Sequence, residues 1–273
     1  MHDAPQTDAA RQLDKENPLG VDGFEFVEFT GPEPEAMIAR LELMGFTRTH
    51  VNPANSVVRM KQGDITMLVN QAPAGQAKQF AADHGPSANG MAFRVNDARA
   101  AYEGAVSRGA KPAEGADGGA LGGGYPYILQ GIGGSLLYIV DQYGEAGSLY
   151  DGWDEIEGWE EAERKNSVGL YCLDHLTHNV KRGQMRTWSG FYGDVFAFEE
   201  QKYFNIKGKA TGLLSQAMIA PDRAIRIPLN ESQDDNSQIE EFLKRYNGEG
   251  NFQALFDSIE LDQIRRGVIK VDA

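Results

Sequence analysis

The sequence predicts an α+β protein made of three related units, each with the order strand, helix, strand, strand. Strand-like runs of apolar and polar residues open near residues 24, 91 and 173. A stretch with helical periodicity follows each of them, and shorter strand-like runs separated by turn residues come next. Because this order returns at a spacing of about seventy residues, each unit is a small sheet that needs a neighbour to cover its apolar face.

The first unit opens with Phe-Glu-Phe-Val-Glu-Phe, an alternation that predicts a strand with one buried face. Gly45 ends the helix that follows, and Gln-Gly-Asp at residues 62–64 is a hairpin signal between two later strands. The predicted elements are a strand over residues 24–29, a helix over 36–44 and strands over 57–60 and 65–69.

The second unit repeats the pattern from Gly90 onward. Asp97 is predicted to cap its helix and Gly109 to end it. The glycine-rich stretches 115–124 and 131–134 lack the lysine and the serine or threonine of a phosphate loop, so we expect a surface loop and a turn. The predicted elements are a strand over residues 91–95, a helix over 97–108 and strands over 127–129 and 136–140.

The third unit follows an acidic connector whose composition marks a domain boundary. Its predicted elements are a strand over residues 173–180, a helix over 183–195, strands over 201–206, 212–220 and 224–229, and a helix over 237–246. The predicted domains are a disordered leader over residues 1–16, an N-terminal structural domain over 17–141, the linker over 142–172 and a C-terminal domain over 173–273.

Composition narrows the classes of partner. The 273-residue chain is 41% hydrophobic and carries a net charge of -14, which describes a globular protein that repels nucleic-acid phosphates and anionic lipids. We therefore expect no nucleic-acid or membrane partner and a small organic ligand instead. The single cysteine, Cys172, cannot form an internal disulfide, and residues 1–16 contain no apolar run typical of a signal, so we expect a cytoplasmic protein.

Two histidines at the start of the third unit are the first candidates for a site. His175 and His178 lie three apart, so in a strand they point to opposite faces and cannot bind one ion together. One of them is a candidate metal ligand. The alternative is that one is an ordinary interior histidine and the other lies at the surface.

Five stretches together closely resemble bacterial 4-hydroxyphenylpyruvate dioxygenase, over about residues 17–272. They are residues 24–29 (FEFVEF), 174–180 (DHLTHNV), 225–231 (IRIPLNE), 238–243 (QIEEFL) and 250–256 (GNFQALF). The resemblance implies the vicinal-oxygen-chelate fold, built from βαβββ modules: two paired in an N-terminal barrel, a third that is unpaired here, and a C-terminal helix.

The resemblance also implies an Fe(II) enzyme of tyrosine catabolism, which converts 4-hydroxyphenylpyruvate and O2 to homogentisate and CO2. Two imidazoles and one carboxylate hold the metal in this family. Matched position by position, His175 corresponds to the first iron ligand, while His178 is a neighbour that does not bind iron. The positions that match substrate-pocket residues are Ser215, Asn230, Asn251, Phe252 and Phe256. The last three belong to the helix that closes the family's site.

The sequence departs from the family pattern after residues 248–250. There the family's Gly-Glu-Gly continues into Ile-Gln-His, which supplies the second iron ligand, and a fourth module ends with the glutamate that is the third. Here Gly-Glu-Gly is followed directly by Asn251 and Phe252, which implies loss of the fourth module. The remaining histidines lie in the structural half and do not replace a ligand: His2, His50 and His84.

We therefore expect a dioxygenase-family chain with impaired catalysis, which binds Fe(II) weakly and takes a small aromatic 2-oxo acid and O2. The alternatives are an active dioxygenase completed by other residues or another subunit, a non-catalytic binding or interaction protein, and a hydroxymandelate synthase-like enzyme. The unpaired module also predicts a homo-oligomer. Its candidate apolar face consists of Leu173, Phe204, Ile206, Leu213, Ile225 and Ile227.

Overall fold

The computed structural model describes residues 16–207, 212–245 and 251–253, which form two β-sheets with helices packed on them. The elements of the first two modules are β1 (Val21–Thr30), α1 (Pro34–Leu43), β2 (Thr47–Asn52), β3 (Val57–Gln62), β4 (Ile65–Asn70), α2 (Gln76–His84), β5 (Ser87–Val95), α3 (Ala98–Ser107), β6 (Ile128–Gln130) and β7 (Leu136–Val140). The connector and third module contribute β8 (Asp154–Glu155), α4 (Trp159–Asn166), β9 (Thr177–Val180), α5 (Met185–Gly190), β10 (Glu199–Lys207), β11 (Gly212–Ile219), β12 (Arg226–Ser232), α6 (Gln238–Arg245) and β13 (Asn251–Gln253).

The first two modules meet through their opening strands. The eight-stranded sheet has the order β6-β7-β5-β1-β4-β3-β2-β8, in which β1 pairs antiparallel with β5. Each opening strand also pairs in parallel with the last strand of its own module, β1 with β4 and β5 with β7. The α+β class and the internal repeat are therefore confirmed.

The predicted N-terminal barrel is open. β6 and β8 are the two edges of this sheet, and no strand in the described part of the chain joins them. The second module has one strand fewer than the first, because residues 115–124 form a loop in which every glycine has a positive φ. That backbone conformation interrupts a strand, so the sheet lacks the strand that would close it.

Local sequence signals located most elements of the first two modules. Asp97 caps α3 as predicted, since its carboxylate accepts a hydrogen bond from the Ala100 amide at 2.9 Å. The elements β2 and α2 were not predicted. β2 is the polar stretch Thr-Arg-Thr-His-Val-Asn, and α2 buries mainly alanines with Phe80, so neither has a strong hydrophobic pattern.

The third module has the same topology as the first, with differences in its boundaries. In the sheet order β10-β11-β12-β9-β13, β9 pairs in parallel with β12 as β1 does with β4. The predicted strand over residues 173–180 begins only at Thr177, so His175 precedes the strand. The predicted helix over 183–195 is α5, which continues into a π-turn over Phe191–Val195.

Residues 251–253 form a strand, which corrects the predicted start of the C-terminal helix. β13 pairs antiparallel with β9, with Phe252 opposite His178. It thereby takes the place beside β9 that β5 takes beside β1. A strand here satisfies backbone groups of β9 that would otherwise be left at an open edge. Residues 254–273, including Phe256, lie outside the described residues.

One hydrophobic core joins the third module to the first two. The ring of Phe93 in β5 lies 5.4 Å from that of Phe196 and 6.0 Å from that of Phe198. Ile225 and Ile227 are fully buried in this core, so their assignment to an open apolar face was wrong. Successive residues of a strand face opposite sides, and Ile227 is on the side of β12 that faces the core.

None of the helices in the described ranges is both long and apolar enough to cross a bilayer.

Candidate functional site

Three polar residues form a row across the sheet of the third module. Ser215 in β11 pairs with Asn230 in β12, and Asn230 pairs with Asn179 in β9. Paired residues of neighbouring strands lie side by side on the same face. We call these three residues the polar row. Residue 251 takes the next register position, opposite Asn179.

The polar row is neutral and partly enclosed. Asn179 is buried, Ser215 and Asn230 are half-buried, and Phe204 pairs with Ser215 at the other end of the row. Asparagine and serine side chains both donate and accept hydrogen bonds, and an aromatic side chain beside them offers an apolar contact. This surface therefore suits a small ligand with an aromatic ring and oxygen acceptors.

His175 lies two residues before β9 and has one charged neighbour close to its ring. Its Nδ1 is 2.7 Å from Asp174 Oδ2, and the imidazole is half-buried. Arg226 Nη1 lies 3.6 Å from the other oxygen of Asp174. The Asp174 carboxylate is thus shared between an imidazole and a guanidinium group, so its charge is partly neutralised by the arginine.

His178 faces the core. Its Nε2 lies 2.7 Å from the Tyr192 hydroxyl, and the residue is fully buried. Burial lowers the pKa of His178 to about 3, and hydrogen bonds to the backbone of Thr177 and Leu176 oppose that shift only in part. The imidazole is therefore neutral at ordinary pH and is held by a tyrosine.

The residues present do not fit the iron site that the resemblance implies. Within the described ranges, no group of three histidine, cysteine or acidic side chains is arranged to hold a metal ion. His175 and Asp174 are one imidazole and one carboxylate, whereas the facial triad needs a second imidazole. Both His50 and His84 belong to the first two modules, in β2 and α2, and His2 lies outside the described residues.

Asn179 is the member of the polar row that sequence reasoning missed. Its side chain is 4% exposed, and it links the two predicted pocket residues in β11 and β12 to the strand that follows His175. The alternation of strand side chains contains a signal for it, since residues 175, 177 and 179 fall on one side of an extended chain. The prediction considered only the two histidines of this stretch.

A second buried polar cluster lies in the N-terminal sheet and serves the fold. The Glu28 carboxylate is fully buried and accepts hydrogen bonds from Asn70 at 2.7 Å, Asn89 at 2.8 Å and the Tyr138 hydroxyl at 2.5 Å. Burial raises the pKa of Glu28, and these three donors lower it in part. Because the protein itself engages both carboxylate oxygens, this cluster holds the four strands β1, β4, β5 and β7 together.

Comparisons with known proteins show the family of this chain. The model described as "Hydroxyphenylpyruvate dioxygenase, HPPD, N-terminal" matches residues 15–154. The chain is 50% identical over 253 residues to the 4-hydroxyphenylpyruvate dioxygenase of Pseudomonas aeruginosa, covering 89% of this chain and 68% of that protein. It is 48% identical over 244 residues to Hemolysin VllY of Vibrio vulnificus, covering 87% of this chain and 67% of that protein.

A solved structure shows the same fold. A mutant of 4-hydroxymandelate synthase from Streptomyces coelicolor superposes with a TM-score of 0.69 at 20% sequence identity. The match covers 85% of this chain and 70% of that one. At this identity the likeness concerns the fold alone.

Proposed function

This chain belongs to the 4-hydroxyphenylpyruvate dioxygenase family, and from that premise we propose that it binds a small aromatic 2-oxo acid but turns it over far more slowly than a full-length relative. The observation that carries the proposal is a polar row suited to the substrate in the sheet of the third module, together with one half-buried imidazole just before β9. Groups that can hold the organic substrate are aligned, while most of those needed to hold iron are absent from the described residues.

The substrate-binding half of the proposal depends on the polar row. The Asn230 amide and the Ser215 hydroxyl lie side by side in the register of β11 and β12 and can donate to the oxygens of a 2-oxo acid or a phenol. Asn179 extends the row, and Phe204 offers a ring contact at its other end. Residues Asn251 and Phe252 belong to the neighbouring strand, and we propose that they border the same site.

The metal-binding half is the part we propose to be impaired. In this family Fe(II) activates oxygen and polarises the 2-oxo acid when it is bound. A site with one imidazole and one shared carboxylate binds a divalent metal weakly, because affinity grows with the number and fit of the protein ligands. His175 is the residue we propose as the remaining ligand.

We further propose that the protein acts in the cytoplasm.

Oxygen consumption tests the proposal. This chain and a full-length relative are each supplied with 4-hydroxyphenylpyruvate and added Fe(II). The oxygen uptake and the product formation of both are then recorded. We expect a turnover more than about tenfold below the relative, since chemistry at the metal needs the complete ligand set. A rate within about tenfold of an ordinary turnover of roughly 1 per second would contradict the proposal and indicate that other residues or another subunit complete the site.

Substrate binding without iron separates the impaired enzyme from a chain that has lost the site. Calorimetric titration with 4-hydroxyphenylpyruvate should detect binding, and Ser215→Ala and Asn230→Ala should each weaken it by about tenfold, the value of one lost hydrogen bond to a charged group. Gln216→Ala is the matched control, because it lies next to Ser215 on the opposite face of β11. If all three variants had equal effects, Ser215 and Asn230 would not be the residues that bind the substrate.

A non-catalytic binding protein on the same fold is the second candidate. The polar row supports it, because those neutral side chains can hold a 2-oxo acid without a metal. It predicts tight binding of the 2-oxo acid and no product at all, whereas the impaired enzyme gives slow product formation that depends on Fe(II). Product identity also tests the hydroxymandelate synthase-like alternative, because that activity would yield hydroxymandelate instead of homogentisate.

A further inference from the structure

We propose that Arg226 binds the carboxylate of the 2-oxo acid and thereby fixes the direction in which the ligand lies on the sheet of the third module. This assignment rests on the proposed function and deepens it, because it gives the carboxylate to Arg226 and the phenol to the polar row. Arg226 is the first residue of β12, and Asn230 of the polar row is the fifth. A carboxylate that leaves water needs a cation as its partner, and an arginine at this position can supply it.

Arg226 and the polar row lie on the same face of the sheet. Burial alternates along β12: Ile227 and Leu229 are fully buried in the core, whereas Arg226, Pro228 and Asn230 are half-buried. Successive residues of a strand face opposite sides, so the last three share the face that points away from the core. We call the face that carries Arg226, Pro228 and Asn230 the ligand face.

The residues between Arg226 and the polar row offer an apolar floor for an aromatic ring. Pro228 lies between the two ends on β12, and Ala217 pairs with it on β11. Both are half-buried, and neither has a polar side-chain atom. Residues four apart in a strand are about 13 Å apart, so a hydroxyphenyl ring with a three-carbon acid chain fits between them once the arginine side chain covers part of that distance.

The Arg226 guanidinium retains hydrogen-bonding capacity for a ligand. Its Nη1 lies 3.6 Å from Asp174 Oδ1, which is an ion pair but is longer than a hydrogen bond. Asp174 is held more closely by His175, whose Nδ1 is 2.7 Å from Oδ2. The Arg226 side chain is 42% exposed, so a carboxylate can approach it from solvent. Two parallel N–H donors of the guanidinium can then bind both oxygens of that carboxylate.

Lys202 is a second cation near the ligand face, and its position fits the carboxylate less well. It pairs with Ala217 in the register of β10 and β11, so it lies level with the apolar floor and not at its end. Its Nζ is 5.2 Å from the centroid of the Phe204 ring. A lysine carries a compact, strongly hydrated charge, whereas the planar arginine group matches both oxygens of a carboxylate. Position and chemistry therefore favour Arg226 as the partner.

Calorimetric titration of the full chain with two ligands tests the assignment. EDTA is present, so that a bound metal does not contribute. The ligands are 4-hydroxyphenylpyruvate and 4-hydroxyphenylacetone, in which a methyl group replaces the carboxylate. Arg226→Gln should weaken binding of the acid about tenfold, the value of a hydrogen bond to a charged group, and should change binding of the ketone by less than about twofold. Arg223→Gln is the matched control, because it makes the same change of charge just before β12 and should leave both affinities unchanged.

A third ligand tests the direction of binding. Phenylpyruvate keeps the 2-oxo acid and lacks the phenol oxygen. Because the polar row is assigned to the phenol, Asn230→Ala should weaken binding of 4-hydroxyphenylpyruvate and leave binding of phenylpyruvate nearly unchanged. If Asn230→Ala weakened phenylpyruvate as strongly as 4-hydroxyphenylpyruvate, the row would hold the acid end, and the assignment of the carboxylate to Arg226 would be overturned.

The outcomes separate this assignment from the proposed function. If the unmodified chain binds neither the acid nor the ketone, both are wrong. If it binds the acid, and Arg226→Gln binds the acid equally well or loses both ligands alike, the proposed binding stands and Arg226 is not the partner of the carboxylate. A loss of acid binding in Lys202→Ala, with none in Arg226→Gln, would have the same meaning. Misfolding of Arg226→Gln cannot imitate the expected result, because that result includes intact binding of the ketone.

Discussion

At the scale of single residues, the two histidines next to β9 have opposite environments. His175 is half-buried and contacts a carboxylate, while His178 is fully buried against the Tyr192 hydroxyl. The difference follows from their spacing of three, since an extended chain directs such residues to different sides. Only the first is accessible to a metal ion or a substrate.

His175 should be the histidine on which any residual metal affinity depends. Replacing His175 with Ala should lower the affinity for Co(II) or Fe(II) by about tenfold or more. The reason is that the imidazole nitrogen of His175 is the strongest neutral metal ligand beside Asp174. His178→Gln should leave the affinity unchanged, since its ring is engaged in the core. Titration followed by the visible absorption of Co(II) measures both. Equal losses for the two variants would mean that His175 is not the ligand.

His178 should make the protein sensitive to acid. Its pKa is lowered to about 3 in the folded state from an ordinary value of 6.5, so below pH 6.5 the unfolded chain binds a proton that the folded chain does not. The stability contributed by neutral His178 is complete above that pH and is lost as pH falls towards 3. The slope approaches about 1.4 kcal/mol per pH unit.

Urea unfolding at a series of pH values measures this slope. His178→Gln keeps a side chain that can hydrogen-bond to the Tyr192 hydroxyl and removes the titrating group, so the acid-side slope should become shallower. His84→Gln, at the end of α2, is the control and should preserve it. An unchanged slope in the His178 variant would show that another group causes the acid sensitivity.

At the scale of elements, helix boundaries follow from local chemistry, and α3 is the clearest case. Asp97 has an extended backbone conformation and accepts from the Ala100 amide, so it satisfies a donor that the first turn of the helix leaves free. Asp97→Ala should lower the free energy of unfolding by about 1 kcal/mol, while Asp97→Asn, which keeps the acceptor, should cost only a few tenths. Denaturant midpoints measure the stability of the two variants. Equal losses of stability would mean that Asp97 acts through its charge alone and not through the hydrogen bond.

At the scale of the whole molecule, the aromatic contact between β5 and the end of the third module's helix couples the two sheets. Phe93 and Phe196 are both fully buried, with ring centroids 5.4 Å apart. Because one core includes residues of all three modules, the sheets should unfold together. Residues 142–172 also contribute to the first sheet, since β8 pairs with β2.

Calorimetry tests this coupling. The unmodified chain should show a single unfolding transition, and Phe196→Ala should lower the free energy of unfolding by about 3–5 kcal/mol through the cavity it leaves. Phe204→Ala, at the exposed edge strand, is the control and should cost less than about 1 kcal/mol. Two well-separated transitions in the unmodified chain would show that the sheets are independent units.

The sequence by itself determined the repeat, the α+β class, the family and most elements of the first two modules. Local patterns are enough for these: alternation for β1, a capping aspartate for α3, and a hairpin triplet between β3 and β4. Matching motifs also selected Ser215 and Asn230 before their strands were known to be neighbours.

Only the tertiary structure decided which of these residues meet. The alignment of Asn179 with Asn230 depends on the parallel pairing of β9 and β12, which join segments about fifty residues apart in the chain. The burial of Ile225 and Ile227 depends on which face of β12 meets the first two modules, and the strand at residues 251–253 depends on the free edge of β9. Register and packing between distant segments are properties of the folded chain, because no local pattern encodes the partner across the sheet.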